Sequence, residues 1–293
     1  MKVKKINNLD IRPPKKSAFT IDTPENLPKL HTLLVASGRR GGGKSVAVSN
    51  FVRMLLDAEV LDRVILISPT YYSNKEIFEP LNIAEEDIIE PTKDSVKEVV
   101  AKVEQDKAEY DEYLEKKKKY KDYQKLIKSD KPIYDIDPLK LLEFMEYGFL
   151  EGEEPVWKYK HERVPRIFLI IDDCMGTALF NRGSGLTNLC VKHRHISGGT
   201  GISIAMLVQS YCANEGLPRP IRENATLLLL FKNTQEQQLK KIYSEVGDKL
   251  TEEQFNGLFE YSTKEPYNFL TIDFHPKKDE YKYRRNFNEY LTP

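Results

Sequence analysis

Cysteine is scarce: Cys174, Cys190 and Cys212 are the three in 293 residues. They form no CxxC pair and cannot close an even disulfide set, so a disulfide framework is excluded and a reducing compartment is expected. Long apolar runs are absent as well. The longest, 226–231 and 167–171, have strand length, far short of the roughly 18–20 residues of a membrane helix. The N-terminus MKVKKINNLDIRPPKK is basic but lacks the apolar stretch of a signal peptide. A soluble protein with no membrane span is expected. There is no excess of one charge: 45 Lys and Arg face 45 Asp and Glu, a formal net charge of +0. That excludes a simple polycation, and 40% hydrophobic residues exclude a disordered chain.

Residues 1–16 carry six Lys or Arg against one acid, Asp10, around Pro13-Pro14. The segment 1–28 therefore reads as a basic extended arm, either a solubilising tail or a DNA- or partner-binding one. From residue 29 the chain reads as one domain. Residues 31–37 form a short apolar run, as expected of a buried parallel strand. A helical pattern follows from Lys44 through Val48, Phe51, Val52, Leu55 and Leu56. Further buried strands are predicted at 63–68, 166–172, 201–209 and 226–231. A glycine-containing turn and helix are predicted at 183–195, and helices at 234–246 and 251–261. A terminal strand pair is expected at 267–274 and 280–287. Strands alternating with helices predict an α/β fold with a mainly parallel sheet between helices.

Residues 92–165 read as a charged helical insertion. Within 93–131 there are twelve Lys, ten Asp or Glu and no Arg, with Tyr110, Tyr113, Tyr120 and Tyr123 on roughly one helical face. Near-equal acids and bases predict intrahelical pairing on a solvated surface, with Lys116 to Lys119 as a local basic knot.

Residues 38–45, Gly-Arg-Arg-Gly-Gly-Gly-Lys-Ser, fit GxxxxGK[ST] without a mismatch, between a buried strand and a helix. Gly38, Arg39, Arg40, Gly41, Gly42, Gly43, Lys44, Ser45 and Val46 are thus candidate nucleotide-binding residues. Backbone N–H groups cradle phosphates at the helix N-terminus, Lys44 reaches the β- and γ-phosphates, and the Ser45 hydroxyl ligates Mg2+. Residues 167–173, Ile-Phe-Leu-Ile-Ile-Asp-Asp, end a buried strand in two carboxylates, which is costly without a cation or donors. Asp172 is the candidate Mg2+ ligand beside Ser45, and Asp173 the group that orients or activates the attacking water. Asp173 is one methylene shorter than the Glu usual in that role. Gln209, at the tip of the next strand, can hydrogen-bond the γ-phosphate or the water, or simply face solvent.

These parts together resemble the FtsK–HerA superfamily of DNA-translocating P-loop ATPases, and within it the poxvirus-type and giant-virus-type genome-packaging enzymes. Beyond the P-loop the resemblance rests on residues 170–173 (Ile-Ile-Asp-Asp), 193–195 (His-Arg-His), 207–209 (Leu-Val-Gln) and 217–224 (Leu-Pro-Arg-Pro-Ile-Arg-Glu-Asn), and it covers about 30–235. It implies an additional-strand, RecA-like fold. It also implies a homo-pentameric or hexameric ring with ATP between subunits, and an arginine supplied by the neighbour: Arg222, with Arg219 and Arg194 as rivals. Double-stranded DNA and a capsid vertex or portal-like protein are the implied partners, with virion or host cytoplasm as the implied location. Between 181 and 222 five basic residues, Arg182, Lys192, Arg194, Arg219 and Arg222, face one acid, Glu215. Lys192, His193, Arg194 and His195 are accordingly the DNA-contact candidates, with Lys277, Lys278, Arg284 and Arg285 weaker ones.

About 30 residues precede the first strand and about 60 follow the last parallel one, so a bare motor is expected, without a membrane or nuclease domain. The leading expectation is an ATP-driven DNA translocase that packages a viral genome. A cellular or plasmid DNA pump or helicase of the same superfamily is the alternative. A small-molecule kinase is a different class, but it needs neither the carboxylate pair nor the Gln strand, and its lid usually carries arginines. A GTPase is disfavoured because no Asn-Lys-x-Asp motif follows a late strand.

Overall fold

The computed structural model describes residues 21, 23–129, 136–212, 216–232, 236–247 and 250–293. Most of the basic arm expected at 1–28 lies outside the described residues. The strands are β1 (Leu33–Ser37), β2 (Arg63–Ile67), β3 (Ile88–Ile89), β4 (Ile167–Asp172), β5 (Ile202–Val208), β6 (Leu227–Phe231), β7 (Phe269–Asp273), β8 (Tyr283–Arg285) and β9 (Glu289–Tyr290). The helices are α1 (Lys44–Asp57), α2 (Lys75–Phe78), α3 (Ser95–Ile127), α4 (Pro138–Glu146), α5 (Leu186–Lys192), α6 (Arg219–Asn224), α7 (Glu236–Val246) and α8 (Glu252–Ser262). The fold is α/β, as predicted.

Among the described residues nine strands join one sheet, in the order β3-β2-β4-β5-β1-β6-β7-β8-β9. The first six are mutually parallel, and β7, β8 and β9 extend the sheet antiparallel. Parallel strands buried on both faces need apolar residues at every position, which is why β1, β4, β5 and β6 read as continuous runs. Successive residues then serve opposite cores. Leu33 and Val35 face a layer that includes Val99, Val103, Leu189, Ile242 and Phe255 from α3, α5, α7 and α8. Leu34 and Ala36 face Val48, Phe51, Val52 and Leu55 of α1. Each fully buried large side chain contributes roughly 1.5–3 kcal/mol.

The strand that separates the P-loop strand β1 from the carboxylate strand β4 is β5; the 63–68 segment intervenes between them in sequence only. That segment, β2, lies on the far side of β4. The additional strand is therefore the one that ends in Gln209.

The charged insertion begins with one 33-residue helix. Some of its charges do pair along the helix, as between Lys107 and Asp111. Others are buried and tie the helix to the sheet. Arg63, at the start of β2, grips Asp87 through Nε (2.8 Å) and Nη2 (2.6 Å), and Asp106 of α3 through Nη1 (2.6 Å). Lys158 reaches the other oxygen of Asp106 at 2.7 Å. The tyrosine face packs inward: Tyr110 and Tyr113 on Trp157, Tyr120 and Tyr123 on Phe149. Removing one partner of a buried ion pair typically costs about 3–5 kcal/mol. Arg63→Ala is thus expected to lower the unfolding midpoint by several degrees in a thermal melt, whereas Lys107→Ala, on an exposed pair, is expected to shift it by less than about 1 °C. Equal shifts for the two would refute the anchoring role.

Candidate nucleotide site

The C-terminal ends of β1, β4 and β5 converge beside the N-terminus of α1. Gly41 and Gly43 hold φ of 74° and 92°, a region that only glycine enters cheaply. A Cβ on Gly38 would stand 2.5 Å from Cβ of Phe231, so the chain there must pass bare beneath β6. The first turn of α1 carries no acidic residue, leaving its N-terminal field open to anions. Lys44 folds back over the loop and donates to the carbonyls of Gly38 and Arg39, each at 2.8 Å. Burial lowers its pKa, and the nearby Asp172 and Asp173 pull the other way.

Ser45 Oγ lies 3.1 Å from both carboxylate oxygens of Asp172, the last residue of β4. Burial raises the Asp172 carboxyl to about 6, aided by the neighbouring charge of Asp173 and opposed by the Ser45 bond and Lys44. Asp173 follows in the left-handed region, φ 51°. Asp enters that region more readily than most residues. Its Oδ1 accepts a 3.2 Å hydrogen bond from Gln209 Nε2, so the tip of β5 touches the second carboxylate.

These groups line a cavity of about 820 Å3 together with Arg40, Gly41, Gly42, Gly43, Val46, Asn50, Thr70, Asn74, Met175, Tyr267, Asn268 and Asn286. Gly38 and Arg39 do not line it; they hold Lys44 instead. Thr70 and Asn74, joined by a 3.3 Å hydrogen bond, come from the loop after β2. Tyr267, Asn268 and Asn286 come from the β7–β8 end. Nothing local in the sequence marked these five residues, although Pro69 and the terminal strand pair marked the segments that carry them.

The hydroxyl of Ser45 and the carboxylate of Asp172 are hard oxygen donors of the kind Mg2+ takes, completed by phosphate oxygens and water. Among the described residues no group of three or more His, Cys, Asp or Glu could hold a metal by itself. The pair fits a cation that shares its remaining ligands with phosphate and water.

The expected arginines and DNA contacts divide. Arg222 is clamped within its own chain: Nε and Nη2 donate to the two Glu245 oxygens at 2.9 and 2.8 Å, and Nη1 donates to the Leu217 carbonyl. It does not line the cavity. Arg219 is exposed, with one bond to Glu223 a helical turn away. Lys192, Arg194 and His195 are exposed. His193 is not: it is 3% exposed, and its Nδ1 lies 2.6 Å from the Cys190 carbonyl. The His193 expectation is therefore corrected, because its ring packs inward from a 3-10 turn. The weaker candidates are also engaged. Arg284 is buried and donates to the carbonyls of Tyr281 and Asn26. Arg285 bonds Glu265, Lys278 pairs with Glu25, and Lys277 donates to Thr23 and Pro24. These four fasten the C-terminal strands and present no open basic patch.

No protein-family model matches the chain, and no curated protein matches it. Similar solved structures include the genome packaging NTPase B204 from Sulfolobus turreted icosahedral virus 2 in complex with ATP-gammaS, at 13% identity, 89% of this chain, 98% of that chain and TM-score 0.41. Another is the pCW3 conjugation coupling protein TcpA with ATPgS, at 15% identity, 84% of this chain, 57% of that chain and TM-score 0.44. A third is EssC (ATPases 2 and 3) from Geobacillus thermodenitrificans, at 14% identity, 74% of this chain, 34% of that chain and TM-score 0.37. Likeness at this level carries no argument about chemistry, which rests on the residues above. No helix among the described residues is long and apolar enough to cross a membrane.

Proposed function

We propose that this chain is an ATP-hydrolysing motor that works as a homo-oligomeric ring, moves double-stranded DNA, and packages a viral genome into a preformed capsid. The observation that carries the reading is the placement of β5 between the P-loop strand and the carboxylate strand, with Gln209 on Asp173 and Ser45 on Asp172. That arrangement brings the P-loop, Ser45 with Asp172, and Asp173 with Gln209 to one end of one sheet, which supports reading them as a phosphate cradle, a cation pair and a water-handling pair.

The P-loop amides and Lys44 bind the β- and γ-phosphates. Mg2+, when bound, neutralises charge on the leaving phosphates, and Ser45 and Asp172 are the residues to hold it. Asp173 accepts the proton of the attacking water or fixes its direction, and Gln209 holds the Asp173 carboxylate in place. An arginine from the neighbouring subunit answers the charge developing on the γ-phosphate. Arg219 and Arg194 are the exposed choices, because Arg222 must first leave Glu245. Lys192, Arg194 and His195 offer contacts to a phosphate backbone without reading bases.

Asp173→Asn is expected to lower ATP turnover by about 10²–10³-fold with ATP affinity little changed, as for loss of a general base. Gln209→Ala is expected to lower it about tenfold, the worth of one hydrogen bond to a charged partner. Steady-state hydrolysis and nucleotide titration check both, and full turnover in Asp173→Asn would remove the assignment. The motor reading is tested by turnover with and without duplex DNA, and by imaging the protein with a non-hydrolysable ATP analogue and duplex DNA. A ring with DNA in its channel and DNA-stimulated hydrolysis are expected. Phosphorylation of a small acceptor without DNA stimulation would overturn it.

A further inference from the structure

The cavity runs past the phosphate cradle to the turn that enters β7. There Tyr267 stands beside the P-loop: a Cβ on Gly43 would meet its Cβ and Cδ1 at 3.3 Å. Three features set this tyrosine apart. It is 71% exposed while lining the cavity. Among the described residues its hydroxyl has no hydrogen bond and its ring no aromatic partner, whereas the cavity's other aromatics, Phe269 and Phe287, pack on each other and on Phe231 and Phe51. Its backbone sits at φ 66°, a costly region for a bulky side chain.

The turn is braced on both sides. Asn286 Oδ1 accepts from the Phe269 N–H at 3.2 Å, and Asn286 Nδ2 donates to Asn268 Oδ1 at 3.0 Å. Asn268 Nδ2 donates to Glu265 Oε2 at 3.0 Å. The fold thus spends hydrogen bonds to keep an aromatic ring in a strained, open position next to the P-loop. Packing does not account for this, because the ring is exposed. A planar ligand group does: a nucleotide held by its phosphates extends from the cradle and carries a flat base to stack.

We propose that Tyr267 is the base platform of the nucleotide site, and that the Asn268–Asn286 amide pair fixes it in that position. This inference rests on the nucleotide-binding reading above and deepens it. The antiparallel strands added beyond β6 then serve as the wall of the site for the nucleoside, while the P-loop serves the phosphates. Stacking recognises a face rather than an edge, so it favours purines over the smaller pyrimidines by a modest factor.

The test is titration of the full chain with ATP, CTP and inorganic tripolyphosphate. Tyr267→Ala is expected to weaken ATP roughly 5–100-fold, the range of one base stacked on one aromatic ring. It is expected to narrow the ATP-over-CTP preference and to leave tripolyphosphate binding unchanged. Tyr267→Phe is expected to bind ATP like the wild type. Tyr267→Gly is expected to lose ATP affinity as Tyr267→Ala does, without a lower unfolding midpoint, because glycine accepts φ 66° freely. Wild-type ATP affinity in the Ala and Gly variants would overturn the inference, as would equal weakening of ATP and tripolyphosphate. If the unchanged protein bound neither ligand, or if Lys44→Ala bound both like the wild type, the nucleotide reading itself would fail and take this inference with it.

Discussion

Asp172→Asn is expected to lower ATP turnover by about 10²-fold or more and, at pH 7, to make the nucleotide-free fold more stable than the wild type. Both effects come from one buried group. The carboxyl is 4% exposed and its pKa in the fold is about 6, raised chiefly by burial. In the unfolded chain an Asp titrates near 3.9. Between pH about 4 and 6 the folded state therefore holds more protons than the unfolded one, and stability falls as pH rises through that window. Above pH 6 the loss is complete, on the order of 3 kcal/mol for a shift of about two pH units. The neutral amide of Asn avoids it and can still bond Ser45. A gain of several degrees in the unfolding midpoint is expected at pH 7 and very little at pH 4.

The same substitution removes the anionic cation ligand, so turnover should fall by about 10²-fold or more. Thermal melts of both proteins at the two pH values, paired with steady-state hydrolysis, separate the claims. A variant less stable than the wild type at pH 7 would show that the carboxylate is structural. Retained turnover would show that Asp172 does not serve the metal.

How much of this was legible in the sequence depended on how far apart the interacting residues lie. The P-loop was legible because its parts are consecutive: a buried strand, glycines that allow positive φ, then a helix start. Asp172 was legible because a doubly buried parallel strand leaves few positions for a carboxylate. The position of β5 between β1 and β4 was not, since a run of apolar residues names a strand and not its neighbours. His193 was misread for a related reason. A string of Lys, His, Arg and His looks like a basic surface, but one side chain of the four, His193 at the start of the turn after α5, points into the core. Arg284 was misread because its partner, Asp273, lies on another strand. Arg63 and Asp106 show the converse, a helix whose composition reads as solvated but whose one buried acid fastens it to β2. Tyr267 carried no local signal, since its role depends on a hairpin folding back to a loop more than 200 residues earlier.

Lys44→Ala is expected to lower kcat/KM for ATP by about 10²–10³-fold, the usual consequence of removing one preorganised donor aimed at developing charge. The Lys44 ammonium is held by the carbonyls of Gly38 and Arg39, neutral acceptors that a phosphate oxygen outcompetes. Its pKa is lowered by burial and supported by Asp172 and Asp173, and an anionic ligand would favour the charged form further. The loss should grow with the number of phosphates, because the side chain serves the β- and γ-positions: large for ATP, smaller for ADP and slight for AMP. Lys44→Arg should not rescue turnover, since a planar fork cannot replace a compact ammonium folded back over a tight glycine loop. The fold should survive both changes, because Lys44 contributes no core packing. Titration with the three nucleotides and a thermal melt decide the matter. A uniform drop across ATP, ADP and AMP would mean that the substitution deformed the loop, and an unchanged ATP affinity would mean that Lys44 does not reach the phosphates at all.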